Sequence, residues 1–370
     1  MKKHHAAIAV TVAALAALAF VIYRWRTSGF AWRQFIFTIR SVDGPWLCAS
    51  VALILATYVV RALRWEVMLR PLNCQAAAAG AAPLLKGSAP LVKKARLLGV
   101  LMATCIGFTA VVLFGRAGEP VRPYLIARKT GVTFSSQIAA WVVERILDLL
   151  MVLALFGIAL TQISHSAVRP GPRVQTFVEA GGALAGFTAL ICLAVLVGLS
   201  LFHGKVQRRL MDALAFLPQN TAAKIERFLA AFSEGMQSTR SSSYAFQLLA
   251  YSLLEWALVV GAFYCMFRAV PASSGLGLTD SVIVLGFVCL GSIVQIPGVG
   301  GGVQIVTVLV LTQFYGLGLA AASGVAVLWW VVCFVTIVPI GLALAFHEGI
   351  NWRTLRHIGP VESPVSQPQP

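Results

Sequence analysis

The sequence predicts an all-α polytopic membrane protein, with about six full crossings plus two re-entrant helical hairpins in inverted-repeat arrangement. Three observations lead there. The chain of 370 residues is 59% hydrophobic and only 11% charged, with a mean hydropathy of +0.84, whereas soluble domains carry about 25% charged residues. Its apolar residues gather into runs of near-membrane length. Two of those runs are interrupted by Gly/Pro-rich stretches, Gly115 to Arg122 and Pro297 to Gly302. Such stretches free backbone groups that hydrocarbon cannot satisfy, so each must line protein or a polar path.

The runs fall at 6–22, 45–63, 97–114, 138–163, 181–202, 245–267, 282–296, 303–315 and 320–346. A full crossing takes about 20 apolar residues, with 17 near the lower limit. The first run follows Lys2 and Lys3 and precedes Arg24 and Arg26. It exceeds a usual signal-peptide core and reads as an uncleaved helix. Runs 282–296 and 303–315 are too short to cross alone, and with the glycine-rich turn between them they read as one hairpin. Basic residues decide the fate of 97–114. If 97–130 enters and leaves on the cytoplasmic side, 21 Lys and Arg lie inside and 7 outside, with Arg145 inside a helix. If 97–114 crosses, the connectors 115–137 and 203–244 move outside and the asymmetry vanishes. The hairpin wins, although the four arginines at 24–40 run against the rule.

This topology places both termini in the cytoplasm of a bacterial inner membrane. It divides a single integral domain, 1–350, into a first half at about 45–163 and a second at about 245–346. Each half reads crossing, hairpin, crossing, with opposite orientation. Gly115 and Gly118 match the spacing of Gly298 and Gly301. Short broken segments at corresponding places in two inverted halves point to a transport site. The connector 203–244 carries Val206, Leu210, Leu214 and Leu217 opposite Lys205, Arg208 and Arg209. It suits an interfacial helix on anionic lipid, or equally a helix packed on the bundle. The tail, 351–370, rich in Pro, Ser and Gln, is expected to be disordered.

Several function classes lack support. The net charge of +16 sits in connectors beside apolar runs, where it sets topology and attracts anionic lipid, and no nucleic-acid-reading module is visible. Seven cysteines, six of them in apolar runs, show no paired or metal-ligand spacing. The six histidines are scattered near segment ends, so no metal or cofactor is expected. No nucleophile elbow or phosphate loop appears, and no catalytic residue is assigned.

Arg116, Glu119 and Arg122 recur every three residues and share a face if the second arm of the first hairpin begins near 118. Two guanidiniums around one carboxylate leave positive charge for a phosphate, and the helix start adds free N–H groups. The alternative is that both arginines snorkel at the interface. Glu144, Arg145 and Asp148 lie on neighbouring helix faces, roughly 9–15 Å into their run at 1.5 Å per residue. They either tie helices together or form half of a head-group or proton site. Arg61, Arg64, Trp65 and Glu66 resemble an interfacial anchor, and Glu255 needs a partner.

At these residues the chain resembles the lysylphosphatidylglycerol synthase transmembrane-region family, across about residues 8–346. The resemblance rests on Arg61-Ala62-Leu63-Arg64-Trp65 with Leu69-Arg70-Pro71; Arg116-Ala117-Gly118-Glu119 with Arg122; and Glu144-Arg145 with Asp148. Phe232 with Gly235, Trp256, and Pro297-Gly298 with Gly301 complete it. The family includes the flippase portion of the bacterial multiple peptide resistance factor, so the resemblance implies a lipid translocase. It also implies that Arg116, Glu119, Arg122, Glu144, Arg145 and Asp148 form the site. One departure stands out: the family's usual acid three residues after the last glycine of the second turn is Gln304 here. That weakens the case for an aminoacylated lipid. The family's aminoacyl-transfer domain has no counterpart in the sequence, so synthesis of such lipids is not expected.

The sequence thus reads as a non-enzymatic translocase of a phospholipid or polyprenyl-phosphate-linked lipid, its partners being lipids with anionic or phosphate head groups. The rival is a non-transporting, lipid-binding accessory of an envelope-lipid enzyme, and a membrane-embedded transferase ranks third. Substrate, direction, energy source and oligomeric state carry no sequence signal.

Overall fold

The computed structural model describes residues 30–78, 89–130, 132–165, 182, 186–188, 190–191, 242–292, 295–296, 298 and 300–349. The predicted crossing at 6–22, most of that at 181–202, the amphipathic stripes of the connector, the tail and Pro297 lie outside them. The described chain is helical apart from a two-residue antiparallel bridge pairing Gln295 with Gly301 and Ile296 with Gly300. Four helical segments are long and apolar enough to cross a membrane: Gly44–Arg70, Arg96–Gly118, Ser243–Ala269 and Leu319–His347. This is a multi-pass membrane protein.

A short amphipathic helix, α1 (Trp32–Arg40), precedes α2 (Gly44–Ala78). Sequence ends the second apolar run at 63, but the helix continues to Ala78. Apolar residues persist beyond the charges, and Trp65, Val67, Met68 and Leu69 are fully buried. Helix α3 (Ala89–Phe114) then runs into a 3-10 turn at Gly115–Gly118, and α4 (Val121–Thr130) follows. Gly115 takes φ 62°, a left-handed conformation that glycine adopts without steric cost. The turn reverses the chain, and α4 packs back along α3.

Glycines mark the register of that hairpin. A Cβ on Gly118 would strike the Ala110 backbone, one on Gly107 would stand 2.5 Å from Arg122 Cβ, and one on Gly99 would meet Lys129. The pairs 118/110, 107/122 and 99/129 step evenly in opposite directions, so the arms are antiparallel. Helix α5 (Phe134–His165) is 32 residues long and carries Glu144, Arg145 and Asp148 in its middle.

The second half repeats the plan with α6 (Ser242–Ala269), α7 (Leu278–Gly291), α8 (Gly302–Gln313), α9 (Leu319–Trp330) and α10 (Ile337–His347). A π-turn at Val331–Val335 joins α9 to α10, making one long segment. Helices α7 and α8 fold on each other, with Gly291 so close to α8 that an added Cβ would meet Gly302 O at 2.6 Å. Between them Gly298, Gly300 and Gly301 have φ of 72°, 102° and 133°.

The packing exchanges the halves. Helices α2 and α6 lie antiparallel along their length: Asp43 N–H donates to Ala269 O (2.8 Å) at one end. Ser50 Oγ donates to Ala262 O (2.8 Å), and Arg70 Nη1 donates to Gln247 Oε1 (3.2 Å) at the other end. Helix α5 packs on α7, and α10 packs on α3, so the last helix of each half covers the hairpin of the other. The first hairpin has its base at the Glu66 end of α2, where Arg96 pairs with Glu66. The second follows the opposite end, beyond Ala269. Their tips meet: Gly298 N–H donates to Val112 O at 3.0 Å.

Candidate functional site

Where α2, α4, α5 and α6 converge, their charged side chains form one buried network. Arg64 of α2, fully buried, is its hub. Its Nη2 donates to Glu144 Oε1 (2.7 Å), and its Nη1 donates to Asp148 Oδ1 (2.8 Å) and Ser252 Oγ (3.0 Å). The same Nη1 lies 3.2 Å from Glu255 Oε2, and Arg61 Nη2 lies 2.7 Å from Glu255 Oε1. From α4, Arg122 Nη1 donates to both Glu144 oxygens (3.0 and 2.8 Å). Arg145 Nη2 reaches Asp148 Oδ2 at 3.0 Å.

Arg64, Arg122, Glu144 and Glu255 are buried inside the helix bundle. Arg64 lies six residues inside the end of its span at Arg70, roughly 9 Å at 1.5 Å per residue, and Glu255 lies twelve residues from Ser243, roughly 18 Å. Taking an ion out of water costs several kcal/mol, offset only by close partners with good geometry. The network supplies such partners: the Arg64 and Glu144 side chains are 0% exposed and in direct contact. The reading of Arg61, Arg64, Trp65 and Glu66 as an interfacial anchor is therefore corrected. They face the core, and Arg61 with Arg64 provides the partner that Glu255 required.

Arg122 is held from several sides. Its Cζ stands 4.1 Å over the Trp65 ring and 5.5 Å over Phe108, in cation–π range. Trp65 is itself fixed, because its Nε1 donates to Gln137 Oε1 at 2.9 Å. One edge of the guanidinium is spent on Glu144. The other edge, Nε and Nη2, is buried and has no hydrogen-bond partner among the described residues, as is Nε of Arg145. Leaving a buried donor unsatisfied costs about 1–3 kcal/mol. Arg122, Arg145 and Glu119 line a cavity of about 60 Å³ with Gly107, Phe108, Val111 and Trp141.

The structure thus brings Arg122, Glu144, Arg145 and Asp148 together and places Glu119 at the cavity's edge. Arg116 stands apart. It lies in the reversal itself, before α4 begins at Val121, its side chain is 66% exposed, and Glu119 stands 3.9 Å from it. Snorkelling does not describe Arg122, whose side chain is 5% exposed and bound to Glu144. In the second turn, Gln304 Oε1 accepts Gly301 N–H at 2.7 Å and so caps α8. A larger groove of about 500 Å³ between α8 and α9, walled by Gln304, Val308, Thr312, Ser323 and Val327, has no ionisable side chain. No cluster of metal ligands occurs among the described residues.

Comparison with known families agrees with the motifs that build this network. The family described as lysylphosphatidylglycerol synthase TM region matches residues 6–341. The chain belongs to that family. No curated protein and no solved structure matches it. Membership in the lysylphosphatidylglycerol synthase TM region family makes this a lipid-related membrane protein.

Proposed function

We propose that this protein is a flippase-like translocase of the bacterial inner membrane, carrying a phospholipid or polyprenyl-phosphate-linked lipid, and that it catalyses no covalent step. One observation carries the reading: a buried guanidinium edge on Arg122 borders a cavity and is stacked, anchored and left without a partner. Nε of Arg61, Arg64 and Arg145 is also buried without a hydrogen-bond partner, but among the described residues only Arg122 leaves both donors of one edge open, and it does so at a cavity wall.

In this reading both hairpins are re-entrant, the chain crosses six times, and the termini lie in the cytoplasm. The antiparallel α2–α6 pair and the exchanged packing of α5 on α7 and α10 on α3 support two inverted halves. Hairpins with bases at opposite ends and touching tips support a thin barrier between two half-paths. A head group entering beside α4 would meet Arg122 and Arg145 first, with Glu144 and Asp148 setting their orientation. The acyl or prenyl chains stay in the bilayer, so only the polar part needs a protein path.

The test uses full-length protein in liposomes with a fluorescent phospholipid or a lipid-linked sugar, and measures how fast label becomes accessible from the opposite leaflet. Faster exchange than in protein-free liposomes is expected for at least one such lipid. An unchanged rate for every lipid offered refutes transport and favours the accessory reading, which predicts stable co-purification with an envelope-lipid enzyme.

A further inference from the structure

We infer that the cavity beside Arg122 is selective for a lipid phosphodiester, one phosphate bearing one negative charge, over a pyrophosphate or a phosphomonoester. The inference rests on the lipid-handling reading above and narrows its substrate class. It would admit glycerophospholipids and polyprenyl-phosphate sugars, and would exclude pyrophosphate-linked lipids.

Charge balance comes first. Among the described residues, four guanidiniums, Arg61, Arg64, Arg122 and Arg145, face three carboxylates, Glu144, Asp148 and Glu255. One positive charge is left over. At the rim, Arg116 and Glu119 lie 3.9 Å apart and add no net charge. A buried site is most stable when neutral, since an unpaired ion in low dielectric is strongly disfavoured. A phosphodiester brings one negative charge and closes the balance. A phosphomonoester carries about −1.5 to −2 at neutral pH, and its excess would be held against Glu144 and Asp148.

Geometry makes the same choice. Glu144 occupies Nη1 of Arg122, and Trp65 and Phe108 cover the guanidinium plane. What remains is the Nε–Nη2 edge, the parallel pair of donors that binds two oxygens of one phosphate. Arg145, 41% exposed at its side chain, stands on the same cavity wall for a further oxygen. Size is compatible: water needs about 10–15 Å³ of such space, so a cavity of about 60 Å³ has room for one phosphate group beside Arg122. Trp65 is a positioning residue here, because its stacking, fixed through Gln137, holds the free edge in place.

The test measures binding to the purified full chain by calorimetry and by intrinsic tryptophan fluorescence, for Trp141 borders the cavity and Trp65 touches Arg122. The probes are dioctanoyl phosphatidylglycerol, dioctanoyl phosphatidic acid, geranyl diphosphate and inorganic phosphate. Phosphatidylglycerol should bind about ten-fold tighter than each of the others, the worth of roughly one charge-assisted hydrogen bond. Arg122→Lys keeps the charge and removes the paired donors, and should weaken that binding about ten-fold. Arg145→Gln, at a half-exposed position, should weaken it about three-fold, and carries the test if Arg122→Lys fails to fold. Geranyl diphosphate or phosphatidic acid binding as tightly as phosphatidylglycerol overturns the inference. So does unchanged binding in the folded variants, and inorganic phosphate binding as well as the lipid would make this a free-anion site. Binding is read without transport. Selective binding with no translocation removes the translocase reading alone, and translocation with unselective binding removes this inference alone.

Discussion

The two hairpins share a backbone plan and differ in chemistry. Each consists of two antiparallel arms, turns on glycines with positive φ, and is covered by the last helix of the other half. Each depends on one glycine near its tip for close approach, Gly118 against Ala110 and Gly291 against Gly302. Yet the first sends Arg122 into a buried ion network, while the second offers main chain, a capping glutamine and an apolar groove. Shape is a property of both halves, whereas charge is concentrated in α2, α4 and α5, with Glu255 as the second half's contribution. Symmetry in packing therefore does not require symmetry in function: glycines let the arms of both hairpins approach closely, whereas only the first carries an ion into the buried network.

The largest effect should come from the network's hub. Arg64→Gln leaves Glu144, Asp148 and Glu255 short of a shared counter-ion, and breaking a buried pair costs about 3–5 kcal/mol. Loss of folded protein, or a large drop in the thermal unfolding midpoint in detergent, is expected. A stable Arg64→Gln protein would mean that the network does not hold these helices. Next come the tip glycines. Gly118→Ala and Gly291→Ala each force arms apart and should each cost about 1–3 kcal/mol by overpacking, by equal amounts if the hairpins are sterically equivalent. A difference of several-fold in their unfolding shifts would break the equivalence. The smallest effect belongs to Gln304→Glu, which keeps an acceptor for Gly301 N–H and puts a negative charge at a helix start. Its stability should move by less than about 1 kcal/mol, again measured by thermal unfolding.

The chain reversals could be read from the sequence, because runs of glycine and proline free backbone groups that hydrocarbon cannot satisfy. The reversal at Gly115 to Gly118 and the two short helices around Gly298 to Gly301 lie where those constraints put them. The trio Glu144, Arg145 and Asp148 was also legible, since three ions inside an apolar run must have partners. The hub was not. Arg64 stands next to Trp65 near the end of an apolar run, a pattern that an interfacial anchor shares, and only tertiary packing against α5 and α6 separates the two. Arg116 and Arg122 looked equivalent at a spacing of three because a regular helix was assumed. Arg116 instead sits in the chain reversal and faces out, while Arg122 is on the helix that starts at Val121 and faces in.

The central claim is that the first hairpin carries the chemistry and the second mirrors only its shape. Translocation of a labelled phosphodiester lipid in liposomes, compared between Arg122→Lys and Gln304→Glu proteins reconstituted at equal density, tests it most directly. The account predicts that Arg122→Lys slows exchange about ten-fold or more, through lost bidentate contact, while Gln304→Glu stays within about two-fold of the parent, its cap intact. Equal losses in the two variants, or a loss in Gln304→Glu alone, would contradict it.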